Sequence, residues 1–290
     1  MQTKSQIRQL LTSAGVAPNR RFGQHFLVDL NLMRLVVDSA RIGPDDVVLE
    51  VGCGTGSLTG ALAERAGSVV TVEIDGTLAQ IAGSQVGEAA NVTLINADAL
   101  SSKGVFNPAV VEALGQRRNR RGRLLLVANL PYDVASAVMI NLVRGPVVAD
   151  EMVVTVQREV AERMEAGPGS KDYGSLSIFL GATGDVQTLR ILKPSVFWPA
   201  PKVDSALVRF VRDASKCARI GDMTLLGEVV SLFMGHRRKM LRACTKYAPA
   251  ELGGRDRLAQ VLERSGIDAT QRPEELSPEQ YVELANRCRS

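Results

Sequence analysis

The chain has 290 residues, 45% hydrophobic and 23% charged, with a formal charge of +4, ordinary values for a soluble protein of one large domain or a main domain with an appendage. No apolar run reaches the ~18 residues of a membrane span, and MQTKSQIRQLL at the start lacks a signal-peptide core, so a cytoplasmic location is expected. Four scattered cysteines (Cys53, Cys217, Cys244, Cys288) and two histidines (His25, His236) speak against a disulfide framework, a zinc site and a His-rich metal centre.

Residues 4–42 are predicted mostly helical. DVVLEV (46–51) is then a short apolar run ending in glycines, a strand, followed by a helix in SLTGALAERA (57–66). SVVTVEI (68–74), NVTLIN (91–96), RLLLVAN (123–129) and EMVVTVQ (151–157) are predicted as further strands, with helices in TLAQIAGSQV (77–86) and VASAVMINLV (134–143). Near-continuous apolar strands alternating with helices predict a parallel sheet covered on both faces.

After the fifth strand the pattern changes. REVAERM (158–164) reads as a short helix, GPGSKDYGS (167–175) as a loop, and LSIFLGA (176–182) is ambiguous but leans to helix. DVQTLRIL (185–192) and KVDSALVRFV (202–211) read as strands closing the sheet edge. Between them KPSVFWPAPK carries three prolines and the single tryptophan. Beyond about Asp213 the periodicity is helical throughout, which predicts a small separate helical domain over 213–290 after a main domain over 1–212.

EVGCGTG (50–56) follows the first strand directly, and glycines there let the backbone turn tightly into a helix and approach a ligand. The spacing of Gly52, Gly54 and Gly56 is G-x-G-x-G, with Ser57 where a dinucleotide site has its third glycine, which argues against an NAD oxidoreductase. Glu73 in VEID ends the second strand, beside Ile74, where a carboxylate can accept both hydroxyls of a ribose. Asp98 in ADAL ends the third, where it can accept from an adenine amino group while Ala99 offers its backbone N–H. Taken singly, either acid has the bland alternative of a helix cap or a loop acid. Three successive strand ends with these residues resemble the S-adenosylmethionine site of the Rossmann-like methyltransferases.

The fourth strand ends in NLPY. Asn129, Leu130, Pro131 and Tyr132 are similar to the N/D-P-P-Y signature of enzymes that methylate exocyclic amines of bases. An adenine N6 amine is a poor nucleophile because its lone pair is delocalised. The Asn129 side-chain oxygen and the carbonyl of Leu130 or Pro131 could hold its two protons, and Tyr132 could stack on the flipped-out base. Catalysis would then be positioning and electrostatics. An ordinary turn capped by Asn129 is the bland alternative.

RFGQHFLVD (21–29), QREVAERM (157–164), YGSLS (173–177), VFWPAPKVDSALV (196–208) and HRRKMLR (236–242), in this order, closely resemble the small-subunit rRNA adenine dimethyltransferase family, from about Arg20 to Arg242. The resemblance implies a class I methyltransferase domain with a small C-terminal helical domain that binds RNA. It also implies S-adenosylmethionine, and transfer of two methyl groups to each of two adjacent adenosines near the 3′ end of small-subunit rRNA in an assembling subunit. His25 (where many relatives have Asn), Leu27, Gly52, Glu73, Asp98 and Asn129 would contact the cofactor, and Phe197 would stack on the target adenine opposite Tyr132, although apart from the resemblance Phe197 reads as a packing residue of the proline loop. HRRKMLR is expected as a basic helix whose Arg237, Arg238, Lys239 and Arg242 would meet rRNA phosphates, although as a charge run alone they read as a solvated face. The arginines of QRRNRRGR (116–123) are either an RNA-affinity loop or a solvated one. An aromatic content of 4% argues against extended base-stacking platforms. No metal is expected, and nothing suggests an obligate dimer, so a monomer is. The rivals are the related large-subunit enzyme of macrolide resistance, a non-catalytic nucleic-acid-binding factor on the same fold and a DNA adenine methyltransferase.

Overall fold

The computed structural model describes residues 1–19, 23–87, 89–102, 104–118 and 121–289. The chain begins with helix α1 (Lys4–Ser13), strand β1 (Phe26–Leu27), helix α2 (Leu30–Ser39), β2 (Val47–Val51), α3 (Ser57–Ala63), β3 (Ser68–Glu73), α4 (Gly76–Val86), β4 (Val92–Asn96), β5 (Leu100–Ser102), β6 (Val105–Phe106) and α5 (Pro108–Arg117). It continues through β7 (Leu124–Asn129), α6 (Ala135–Arg144), β8 (Glu151–Gln157), α7 (Arg158–Glu165), α8 (Ser175–Thr183), β9 (Gly184–Leu192), β10 (Phe197–Trp198) and β11 (Ser205–Arg212). Helices α9 (Ala214–Ala218), α10 (Met223–Gly235), α11 (Leu241–Cys244), α12 (Gly254–Ser265) and α13 (Pro278–Arg289) follow.

The apolar runs pair as expected. A seven-stranded sheet has the order β4-β3-β2-β7-β8-β11-β9. The pairs β3–β4, β2–β3, β2–β7 and β7–β8 are parallel, and β11 lies antiparallel to β8. Every residue of β2 and β3 is buried, which is why these strands show no polar alternation. The chain runs outward from β2 to β4, then returns to start again at β7. The carboxyl ends of β2 and β7 therefore flank the switch point, where sheets of this kind hold ligands.

Short polar residues set the helix starts. Asp29 accepts from Leu32 N–H at the head of α2, and Asp75 accepts from Thr77 and Leu78 N–H at the head of α4. Asn107, followed by a proline, does the same for α5.

Two features were not legible locally. Within the stretch expected to be mostly helical, Phe26 and Leu27 form β1 and pair antiparallel with β10, Phe26 opposite Trp198 and Leu27 opposite Phe197. A two-residue strand is set by its distant partner rather than by periodicity. The β5–β6 hairpin and α5 occupy the stretch between the third and fourth core strands.

The chain divides into two compact units. One comprises Met1–Ala161 and Gln187–Val211; the other comprises Glu162–Val186 and Arg212–Ser290. The ambiguous LSIFLGA is helix α8 and belongs to the second unit with the C-terminal helices. There Phe233 of α10 meets Tyr281 of α13 edge-on, and the hydroxyls of Tyr281 and Tyr173 donate to the Pro273 and Leu276 carbonyls. No helix among the described residues is long and apolar enough to cross a membrane.

Candidate active site

The glycine turn after β2 is held open by positive φ at Gly52 (81°), Gly54 (56°) and Gly56 (79°). A Cβ on Gly54 would lie 2.9 Å from the Phe26 ring, and one on Gly52 would lie 3.1 Å from Pro131 Cγ. The second figure shows the glycine turn and the NLPY turn touching. Glu73, 5% exposed, ties the turn to β3: its two oxygens accept from Gly54 N–H at 2.8 Å and from Asp75 N–H at 3.0 Å. Each carboxylate oxygen keeps a further acceptor site. Burial pushes the Glu73 carboxyl up, against the pull of these N–H donors.

Glu50 opens the glycine motif from within β2 and carries no sequence signal of a role. It is 1% exposed, and one of its oxygens accepts from Thr59 Oγ1 at 2.6 Å and Thr71 Oγ1 at 2.8 Å. Burial pushes its carboxyl up to about 7; the two threonine hydroxyls oppose the shift and the nearby Glu73 charge adds to it. A raised carboxyl contributes stability at low pH that is lost as pH climbs through the folded value, here between about 4.5 and 7. Complete ionisation removes about 3 kcal/mol. Without cofactor, wild-type melting should therefore drop from pH 5 to pH 8 by more than that of Glu50→Gln. Parallel melting profiles would contradict the buried acid.

At the end of β7 the polar turn is fixed from three sides. Asn129 Nδ2 donates to the His25 carbonyl at 2.7 Å, and Thr155 Oγ1 donates to Asn129 Oδ1. A carbonyl can only accept, so this pair sets which end of the amide is which. Leu130 N–H donates to the Thr155 carbonyl, and the Pro131 carbonyl accepts from Val134 N–H. The Tyr132 hydroxyl is 2.9 Å from Ser205 Oγ, and burial pushes its pKa up. The His25 ring stacks against Tyr132, centroids 5.5 Å apart, with Nδ1 2.6 Å from the Pro199 carbonyl. Thr155 and Ser205 lie on β8 and β11, remote in sequence, and carried no motif signal. Replacing Thr155 by Val keeps the shape and frees the Asn129 amide. Turnover should fall about tenfold, the net worth of one lost hydrogen bond, with cofactor affinity little changed in parallel calorimetry.

These pieces surround one cavity. Its lining includes His25, Leu27, Gly52, Gly54, Glu73, Ile74, Asp98, Ala99, Asn129, Leu130, Pro131 and Tyr132. Gly56 sits just behind, where a Cβ would lie 3.1 Å from Ala82 Cα. Asp98 is exposed; one of its oxygens accepts from Leu100 N–H. Ile74 presents an apolar side chain at 46% exposure. Phe197 is the exception. It is 3% exposed, packed in the core with Leu27 and Val36, and is absent from the cavity lining. The ring the structure sets beside Tyr132 is that of His25. Among the described lining residues are four carboxylates (Glu50, Glu73, Asp98, Asp133) and no lysine or arginine. No group of three or more described His, Cys, Asp or Glu residues is placed to hold a metal ion.

The segment before the glycine turn also contributes. Gln2, buried, bonds the turn from outside: its N–H donates to Ser57 Oγ, its Nε2 to the Thr55 carbonyl, and its Oε1 accepts from Thr55 Oγ1. Ile7 of α1 then reaches the cavity wall.

The expected basic helix is instead a turn over 236–240 between α10 and α11, and its basic residues divide. In the second unit Arg238, Lys239 and Arg242 are exposed, but Arg237 Nε pairs with Glu274 at 2.5 Å and its NH2 donates to the Ser170 carbonyl. Arg237 thus clamps the 167–175 loop to the segment before α13. In QRRNRRGR, Arg120 lies outside the described residues. Arg118 pairs with Asp150, and Arg123 pairs with Asp46 and Glu151, an ion-paired cluster where β7 and β8 begin.

A model of the ribosomal RNA adenine dimethylase family matches residues 16–290. The chain belongs to this family. It is 34% identical over 285 residues to the ribosomal RNA small subunit methyltransferase A of Geobacillus kaustophilus, covering 98% of this chain and 95% of the relative. To the protein of the same name in Bacillus mycoides it is 33% identical over 288 residues, covering 98% and 96%. A dimethyladenosine transferase from Plasmodium falciparum shares the fold with TM-score 0.70 at 24% identity, over 90% of this chain and 96% of that one. The 23S rRNA methyltransferase ErmE shares it with TM-score 0.59 at 24% identity, over 91% and 100%. The Rossmann-like sheet with a helical C-terminal part is thus the architecture of a methyltransferase family, as the strand pattern and glycine turn led us to expect.

Proposed function

We propose that the chain transfers methyl groups from S-adenosylmethionine to N6 of two adjacent adenosines, two to each, in the 3′-terminal hairpin of small-subunit rRNA, on an assembling small subunit in the cytoplasm. The observation that carries this reading is the contact between the glycine turn and the Asn129–Tyr132 turn at one carboxylate-lined cavity, in a chain of the rRNA adenine dimethylase family. We take the chain as a monomer and assign no step to a metal.

The donor set fits this cofactor. Two buried carboxylates with no described lysine or arginine in the lining favour a ligand bearing positive charge and disfavour the pyrophosphate of a dinucleotide. We assign the spare acceptor sites of Glu73 to the ribose hydroxyls. The free oxygen of Asp98 and the Ala99 N–H go to the adenine edge, and the exposed side chain of Ile74 to the adenine face. His25, Leu27, Gly52, Gly54 and Gly56 shape the methionine end. The cofactor supplies an electrophilic sulfonium methyl.

The protein does the rest by positioning. We assign Asn129 Oδ1 to one N6 proton and the Leu130 carbonyl to the other, because the Pro131 carbonyl already accepts Val134 N–H. Held this way, the amine is drawn toward a pyramidal geometry with its lone pair aimed at the methyl. When bound, the cofactor would supply a methyl at this lone pair; the part of Asn129 and Leu130 is to hold the amine in line for it, and the displaced N6 proton would go to solvent. Tyr132, anchored through Ser205, stacks on the extruded base. The buried position of Phe197 gives it the part of a support beneath β1 in this reading. The second unit, with Arg238, Lys239 and Arg242 exposed, is assigned to rRNA phosphates.

The test offers labelled S-adenosylmethionine with unmethylated small subunits, large subunits, naked rRNA and duplex DNA as acceptors. Label in small subunits alone is expected. Label in large subunits would move the chain to the large-subunit enzyme. Cofactor binding with no transfer to any acceptor would make it a binding factor on this fold.

A further inference from the structure

The low aromatic content argued against stacking platforms, yet the second unit displays one aromatic ring among cations. Tyr247 ends a 3-10 turn (Thr245–Tyr247) just after α11 and is 49% exposed. The His236 ring backs it, centroids 4.0 Å apart at 40°, and Lys239 Nζ lies over the ring, 5.6 Å from its centroid, on a side chain long enough to swing aside. Arg238, Met240, Arg242 and Lys246 are exposed on the same short segment, and no acid occurs in sequence from Val229 to Ala250. Asp268 is the acid that Arg242 lies near.

The segment is held in place by its backbone. Leu241 and Arg242 N–H donate to the Gln271 and Ala269 carbonyls, and Ala248 N–H closes the turn on Thr245. The backbone that carries the ring is therefore set before any partner arrives, which lowers the entropic cost of using it. A half-exposed aromatic backed by a second ring and bordered by cations matches what single-stranded nucleic acid asks of a protein: a flat face for a base and charge for the phosphates beside it.

We propose that Tyr247, backed by His236, is a seat for one unpaired base of RNA, with Lys239, Arg238, Arg242 and Lys246 holding the flanking phosphates. This deepens the RNA-binding role given to the second unit and rests on that reading for the identity of the RNA. Stacking and counterion release answer differently to salt, and this separates the two parts of the seat. Losing a stacked base weakens binding at every salt concentration by a similar factor. Losing phosphate contacts flattens the slope of log affinity against log salt by about 0.7 per contact on a single strand.

The experiment measures binding of the full chain to unmethylated small subunits and to an unstructured RNA 12-mer across a salt series. Tyr247→Ala should bind the 12-mer about tenfold more weakly with the slope unchanged, and Tyr247→Trp should retain affinity. Arg238→Ala with Arg242→Ala should lower the slope by about one to two. Wild-type affinity in Tyr247→Ala would overturn the seat, and so would a loss in Tyr247→Trp equal to that in Tyr247→Ala, since a ring face would then not be what binds. Melting curves of each variant show whether a loss is one of folding. If the wild type binds the 12-mer but not small subunits, the functional reading fails, while the Tyr247 comparison on the 12-mer still decides the seat.

Discussion

Asn129→Ala is expected to lower methyl transfer by about 10²–10³-fold, the range seen when one positioned polar partner of a developing charge is removed. The amide touches both sides of the reaction: Nδ2 holds the His25 carbonyl, and Oδ1, fixed by Thr155, is the acceptor we assign to N6. Truncation removes the acceptor from the amine and leaves the His25 carbonyl and the Thr155 hydroxyl without this partner. Cofactor affinity should fall by much less than turnover, because Glu73, Asp98 and the glycine turn do not depend on the amide. Single-turnover transfer and calorimetric cofactor binding, measured on the same variant, separate the two. Equal losses in both would make Asn129 a scaffold residue, and unchanged turnover would remove it from the mechanism.

The second large effect belongs to Glu73→Ala. Its two oxygens hold the Gly54 and Asp75 N–H groups and, in our assignment, the ribose. A hydrogen bond to a charged group is worth about 1.5–3 kcal/mol, so loss of the ribose contacts alone should weaken cofactor binding by at least about 10²-fold. The freed glycine turn should also lower the melting temperature. Glu73→Gln separates the roles. Each carboxylate oxygen accepts a backbone N–H, so the NH2 end of a Gln amide must face either the Gly54 or the Asp75 N–H, donor against donor, and it restores little. If Glu73→Gln binds the cofactor like wild type, the carboxylate is not what holds the ribose.

Much of this site could be read from the sequence because it sits where strands end. The glycines, Glu73 and Asn129 stand at the ends of buried apolar strands, Asp98 follows the half-buried edge strand β4, and parallel topology brings such ends together. The parts that escaped came from other places. Thr155 and Ser205 are ordinary strand residues until β8 and β11 set them against Asn129 and Tyr132. Gln2 reaches the glycine turn from 53 residues away. For Phe197 the resemblance implies stacking on the target base while the proline-rich stretch alone reads as packing, and β10 does turn the ring into the core. The charge run at 236–242 showed cations without showing that Glu274 takes one of them. Pairing across long sequence distances has no local periodicity, so these contacts become visible only once the chain is folded.

The most direct measurement of the central claim is the mass of the nucleosides, and of the oligonucleotide fragments that carry them, released from small-subunit rRNA after exhaustive reaction with labelled S-adenosylmethionine. N6,N6-dimethyladenosine as the sole labelled nucleoside, at two adjacent positions near the 3′ end, is the predicted result. Label confined to N6-monomethyladenosine, or carried by any other nucleoside, would contradict it.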